Sequence, residues 1–125
     1  MKRIIIDTNF LLIPYQFKVD IFAEIGRVCL FPHELCIMEK TVDELEHIKK
    51  GQSLNQKKAA NYALALIKTV KLRRLPSTRG VDRDIITIAD TNTIVATQDL
   101  GLKRKLKGKD CQFLVLRKKS YLALL

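Results

Sequence analysis

Four short stretches of the chain end on, or contain, an acidic residue in a setting where it can meet a metal ion: Ile4-Ile5-Ile6-Asp7-Thr8-Asn9, Thr41-Val42-Asp43-Glu44-Leu45, Val81-Asp82-Arg83-Asp84-Ile85 and Ile94-Val95-Ala96-Thr97-Gln98-Asp99. Carboxylates are hard oxygen donors, and a group of them suits magnesium or manganese. Brought together they repel one another, so such a group is stable mainly when cations or protons offset its charge. Softer ligands are not assembled. His33 and His47 stand alone, which argues against a zinc site or a histidine general base, and Cys29, Cys36 and Cys111 form neither a CxxC pair nor an even disulfide set. The cysteines sit among apolar neighbours and read as small buried hydrophobes.

Each acid also has a structural explanation. Asp7 and Asp99 follow apolar runs, and aspartate is a good turn and helix-cap residue, so either one taken singly is explained as well by a cap as by a ligand. Glu44 occupies the third position after Thr41 in the S/T-x-x-E pattern of a capping box, which accounts for it without any chemistry. On a helical wheel it flanks the arc of Val42, Leu45 and Ile48, from which it can still reach a cleft. Asp82 is placed differently: Ile85, Ile86 and Ala89 lie three, four and seven residues on, so its carboxylate shares their inward face. Asp84, about 160° from that stripe, is expected to face solvent. An unpaired buried carboxylate is costly, so Asp82 reads as a cap or a ligand.

The elements that position these acids follow from periodicity. Arg3 to Ile6 is a short β-branched run ending at Asp7, a buried strand; Leu35 to Met38 and Thr93 to Thr97 read likewise, with Lys71 to Leu75 as a short strand and Gln112 to Leu116 as the last. Helical spacing is found over Val19 to Val28, from the capping-box pattern at Thr41 to Gly51, after Ser53 with Ala60, Ala63, Leu64 and Ile67 on one face, over Val81 to Asp90, and in the basic stretch Leu100 to Leu106. Pro76 to Gly80 is a loop. Strands alternating with helices imply an α/β fold with a parallel sheet covered on both faces. In such sheets ligands sit outside the carboxyl ends of the strands, where Asp7 and Asp99 fall.

With 125 residues, 47% of them hydrophobic and 29% charged, the chain is expected to form one domain over residues 1–125 with a core of its own. Apolar runs are too short for a membrane span, and Asp7 comes too early for a signal peptide, so a cytoplasmic protein is expected. Lys and Arg number 23 against 13 Asp and Glu, a net charge of +10 that favours a polyanionic partner, nucleic acid foremost; a Lys-rich solubilising surface is the plainer alternative. Eight aromatics, five Phe and three Tyr with no Trp, offer no evident platform for stacking bases.

Taken in order, the strand-Asp-Thr-Asn opening, the Thr-Val-Asp-Glu-Leu segment, Val-Asp-Arg-Asp-Ile and the late Ile-Val-Ala-Thr-Gln-Asp resemble the PIN-domain ribonucleases, over essentially the whole chain. The resemblance implies a three-layer α/β/α sandwich with a short, mostly parallel central sheet. It also implies acids gathered at the strand carboxyl ends, bound Mg2+ or Mn2+, and hydrolysis of RNA phosphodiesters by an activated water. Small prokaryotic relatives include VapC-type toxins held by an antitoxin protein; the Ile94 to Leu106 stretch and the closing strand look closer to an archaeal branch related to PIN endonucleases that process ribosomal RNA. A homodimer is implied as well. One departure is visible: many relatives carry two adjacent acids where this chain has Asp82-Arg83, with a further acid at Asp84.

On this footing Asp7, Glu44, Asp82 and Asp99 are the expected catalytic set. Asp7 and Asp99 would be direct metal ligands and Asp82 a direct or water-mediated one, with Asp84 as second choice for that position, while Glu44 would orient water. Thr8, Asn9 and Thr97 would hold the carboxylates by hydrogen bonds, although each is equally a turn or cap residue. Lys103, Arg104, Lys105 and Lys107 would receive RNA phosphates beside the cleft. Two rivals remain: a catalytically inactive PIN-like scaffold that binds RNA or protein, which would gain nothing from collected acids, and a DNA flap nuclease, for which the chain is small.

Overall fold

In the computed structural model, which describes residues 1–125, the apolar opening Lys2–Ile6 forms strand β1 at the interior of a six-stranded sheet. Along the chain follow a 3-10 turn (Thr8–Leu12), α1 (Ile13–Phe17), α2 (Ile21–Val28), β2 (His33–Met38), α3 (Glu39–Lys49) and α4 (Leu54–Ile67). Then come β3 (Arg73–Leu75), α5 (Val81–Ile88), β4 (Thr93–Ala96), α6 (Leu100–Lys105), β5 (Gln112–Arg117) and β6 (Tyr121–Leu124). The strands lie in the order β3-β2-β1-β4-β5-β6, all parallel except β6, which runs antiparallel to β5.

Because side chains alternate across a sheet, the all-apolar strands feed two separate cores. Ile4, Ile6, Ile37, Ile94 and Ala96 point to the side covered by the 3-10 turn and α1 to α4, where they meet Phe10, Ile25, Leu45, Ala63 and Leu64. Ile5, Cys36, Met38 and Val95 point to the other side, against Val81 and Ile85 of α5 and Leu102 of α6. The fold is therefore the expected α/β/α sandwich. Ser53 caps α4 as its position predicts, its hydroxyl accepting from the Gln56 N–H at 3.3 Å. No helix is long and apolar enough to cross a membrane.

Three features depart from the sequence reading. The segment after Asp7 is not a plain loop: Thr8–Leu12 and Ile13–Phe17 are short helical turns buried as an apolar block, too brief to show a period. β6 was not expected beyond β5. The turn joining them places Lys118 and Lys119 at φ 51° and 53°, left-handed positions that a hairpin usually gives to Asn or Gly, so the sequence carries no hairpin signal there. Third, α3 begins at Glu39, directly off β2, with Met38 as an N-cap that makes no side-chain cap bond. The capping box expected at Thr41 to Glu44 is not formed, because the helix is already under way.

Candidate active site

The sheet order reverses at β1, whose neighbours are β2 on one side and β4 on the other, and the acids gather beyond the carboxyl ends of β1 and β4. The backbone N–H of Asp7 donates to the Ala96 carbonyl at 3.0 Å, so the first acid is fixed to the sheet. One of its carboxylate oxygens accepts from the Thr8 N–H at 2.9 Å and the other from the Thr97 hydroxyl at 2.8 Å. Thr97 is fully buried, and its oxygen in turn accepts from the Asp99 N–H at 3.0 Å. A single hydroxyl thus links the two acids at neighbouring strand ends. Asp99 is exposed and caps α6, Oδ1 accepting from Gly101 and Leu102 N–H at 2.8 and 3.3 Å, while Oδ2 makes no hydrogen bond within the protein. Cap and cleft roles coexist in Asp7 and Asp99, a combination the sequence left as alternatives.

Glu44 projects from the second turn of α3 into the same cleft and is exposed. With the capping box absent, helix initiation no longer explains it. Thr41, its supposed partner, is fully buried and accepts instead from the Thr8 hydroxyl at 3.2 Å, which ties α3 to the turn after Asp7.

Asp82 and Asp84 exchange the surroundings that the helical wheel assigned them. Asp82 is exposed and lines the cleft; Asp84, expected in solvent, is only 6% exposed and does not line it. Asp84 lies with Val81 and Ile85 on the buried side of α5, and the preceding loop 76–80 turns back to hydrogen-bond its carboxylate, something a wheel drawn on the helix alone cannot register. The carboxylate accepts from the Thr78 N–H at 2.9 Å, the Thr78 hydroxyl at 3.3 Å and the Arg79 N–H at 3.3 Å. Burial pushes its pKa up, but these donors, with Lys40 nearby, outweigh burial and hold it below the ordinary carboxylate range. With both oxygens engaged by the loop, Asp84 faces away from the group to which it was assigned as second choice.

Asp7, Glu44, Asp82 and Asp99 thus line one cleft of about 380 Å³ together with Thr8 and Asn9. Burial raises the pKa of Asp7 from 3.8 to about 6; hydrogen bonds from Thr97 and Thr8 oppose the rise, and the charges of Asp82 and Glu44 add to it. Asp82 is raised too, first by partial desolvation of its carboxyl at the cleft wall and then by Asp99, with Lys105 opposing. Repulsion therefore runs through the whole set. The acids line the cleft without closing on a point: no three Asp, Glu, His or Cys side chains are gathered tightly enough to enclose an ion. An all-oxygen, mutually repelling set of this kind fits a hard divalent cation that keeps part of its water shell, as magnesium does.

Of the basic helix, Arg104, Lys105 and Lys107 are exposed, and Lys105 acts on Asp82 from beside the cleft. Lys103 is half-buried, its pKa lowered by burial and by Arg117. None of the four lines the cleft itself. The cations that do are Arg79 and Arg83, with Gly80 between them, and the sequence reading missed them. Arg83 was legible from its place between two acids; Arg79 lies in a loop with no periodicity to aim it.

Residues 4–119 match the family described as PIN like domain. A protein named Ribonuclease VapC4 from Methanocaldococcus jannaschii is 36% identical, the match covering 97% of this chain and 95% of that protein. Among solved structures, the PIN domain endonuclease Utp24 superposes with a TM-score of 0.78 at 26% identity, over 98% of this chain and 90% of that one. A domain of a functionally unknown protein from Methanocaldococcus jannaschii shares the fold alone, with a TM-score of 0.62 at 20% identity, over 94% and 92% of the two chains.

Proposed function

This chain belongs to the PIN-like domain family, and from that premise we propose that it is a divalent-metal-dependent endoribonuclease that hydrolyses RNA phosphodiester bonds in the cytoplasm. The observation that carries the reading is the meeting of Asp7, Glu44, Asp82 and Asp99, from four separate segments, in one cleft at the reversal of strand order. Packing does not require this: a mere scaffold has no use for a buried aspartate whose ionisation is opposed by its neighbours.

Asp7 and Asp99 are assigned as direct ligands of Mg2+ or Mn2+, Asp82 as a direct or water-mediated one, and Glu44 as the group that orients water. When bound, the cation supplies a water of lowered pKa and positive charge near the phosphate. The protein's own residues set the stage. Thr97 and the Thr8 N–H fix the Asp7 carboxylate in one rotamer, and the Thr97 hydroxyl couples that carboxylate to the Asp99 backbone. The α6 cap leaves Oδ2 of Asp99 as the free oxygen. Asn9 offers an exposed amide at the cleft wall. Beyond Glu44 the cleft runs into a second groove of about 490 Å³ along α3, past Lys40 and His47, which gives room for an RNA strand. Arg104, Lys105 and Lys107 flank the other side as phosphate contacts, with half-buried Lys103 behind them.

Similarity to Ribonuclease VapC4, 36% identical over nearly the whole length, supports a VapC-type toxin held by an antitoxin protein, and likeness to Utp24 supports an RNA-processing nuclease; a homodimer is proposed for either. The deciding experiment incubates the purified protein with structured and single-stranded RNA in manganese, in magnesium and in chelator, beside Asp7→Asn. Metal-dependent cutting that the variant loses is the expected result. RNA bound but never cut, with parent and variant alike, would transfer the protein to the scaffold reading.

A further inference from the structure

Resting on the nuclease reading, we propose that Arg79 is the residue that grips a phosphate of the RNA strand in the cleft, and that Asp84 is the positioning residue that presents it. The loop between β3 and α5 is held from several sides. Asp84 takes three donors from it, as described, and returns its own N–H to the Gly80 carbonyl at 3.0 Å. From α3, the Lys40 N–H donates to the Ser77 hydroxyl at 3.1 Å, and the Lys40 ammonium donates to the Thr78 carbonyl at 3.1 Å. Gly80 closes the loop at φ 116° and ψ 157°, a conformation essentially confined to glycine. A surface loop of this length is ordinarily loose. Here a nearly buried carboxylate is committed entirely to fixing its backbone.

That backbone sets Arg79 at the lining of the cleft, with Arg83 from the first turn of α5 also on its wall. Both arginines line the cleft that carries the four carboxylates, yet neither forms an ion pair: the protein's salt bridges are Arg3–Asp90, Arg27–Glu24 and Arg73–Glu34. Nor does either guanidinium donate a hydrogen bond to a protein acceptor. The acids are therefore left for a cation and the arginines for an anion, side by side in one space. A guanidinium presents a planar fork of N–H donors that matches the non-bridging oxygens of a phosphate. A phosphodiester backbone meeting Arg79 would lie along the cleft wall that carries the acids, with Lys105 of α6 reaching Asp82 from beside it.

The test uses the full chain and a fluorescent single-stranded oligoribonucleotide, with binding read by anisotropy in chelator and cleavage read separately in manganese. Arg79 is exposed, so Arg79→Ala is expected to fold as the parent does. It should weaken binding and raise KM about tenfold with a smaller change in kcat, and flatten the salt dependence of binding by about the 0.7 expected for one lost single-strand phosphate contact. Arg79→Lys should restore part of the affinity. Asp84→Ala should raise KM to a similar degree, and the double variant should be no worse than Arg79→Ala, because both remove one grip. If Asp84→Ala does not fold, Thr78→Val, which deletes only the hydroxyl donor, gives the same comparison at smaller amplitude. Parent-like binding, KM and salt slope in Arg79→Ala would overturn the proposal, as would effects of Asp84 and Arg79 that multiply. A parent that binds RNA without cutting it, and loses that binding with Arg79, would refute the nuclease reading while leaving the grip in place.

Discussion

Replacing Asp7 by Asn should make the metal-free protein more stable at neutral pH while abolishing cleavage. Asp7 is 4% exposed, and its carboxyl titrates at about 6 in place of 3.8, chiefly because burial penalises the charged form and secondarily because Asp82 and Glu44 repel it. Between those two values the folded protein keeps a proton that the unfolded chain has released, so stability falls as pH rises through the window, and the full penalty stands above it. At 1.36 kcal/mol for each tenfold change in acidity, that penalty is about 3 kcal/mol. Asn keeps an acceptor for the Thr8 N–H, but its amide N–H2 cannot accept from the Thr97 hydroxyl, so the bond that hydroxyl donates to Asp7 is lost. The displaced hydrogen bond costs about 1 kcal/mol, leaving a net gain of about 2. At roughly 3 to 6 °C for each kcal/mol in a chain of this size, the shift is readily measured by thermal or urea unfolding in metal-free buffer at pH 7.5. The advantage should fade toward pH 4, where both proteins are neutral at this position. Saturating manganese should reverse the order, since a ligand at a hundred times its Kd adds about 2.7 kcal/mol to the parent alone. A variant equally destabilised at pH 7.5 and at pH 4 would show that Asp7 is an ordinary cap, and the electrostatic account of the cleft would fall.

Three further predictions follow the same geometry. Asp99→Asn should retain the cap on α6 and lose activity, whereas Asp99→Ala should lose activity and about 1 kcal/mol of stability, since two N–H groups are left without an acceptor; equal unfolding midpoints for the two variants would contradict the cap assignment. Thr97→Val removes the hydrogen bond that lowers the Asp7 pKa, so that pKa should rise above about 6 and the acid limb of the pH–rate profile should move to higher pH; an unmoved limb would show that Asp7 does not control it. Glu44→Gln, at an exposed position that caps nothing, should leave stability within about 0.5 kcal/mol of the parent while cleavage falls at least tenfold, and intact cleavage would remove Glu44 from the site.

Much of this protein is legible in its sequence. The β-branched runs Ile4 to Ile6, Leu35 to Met38 and Ile94 to Ala96 have one stable destination, a parallel sheet buried on both faces, and the register of the acids after those runs places Asp7 and Asp99 at its carboxyl edge. That Glu44 and Asp82 join them was visible in the order of the four motifs, although the local arguments offered for them did not hold. The capping box gave way to a helix launched straight from β2, and the helical wheel mistook which acid of Asp82 and Asp84 is covered. Both errors have one cause. A wheel or a cap motif describes an element in isolation, while the burial of a helix face depends on how the flanking chain folds against it. The sequence by itself therefore determined the layers, the strand ends and the chemistry of the donors, because these follow from periodicity and residue type. Only the tertiary structure decided that loop 76–80 turns back onto Asp84, that Thr97 bridges Asp7 and Asp99, and that Arg79 lines the acid cleft, because each depends on how the chain folds against itself, which no periodicity records.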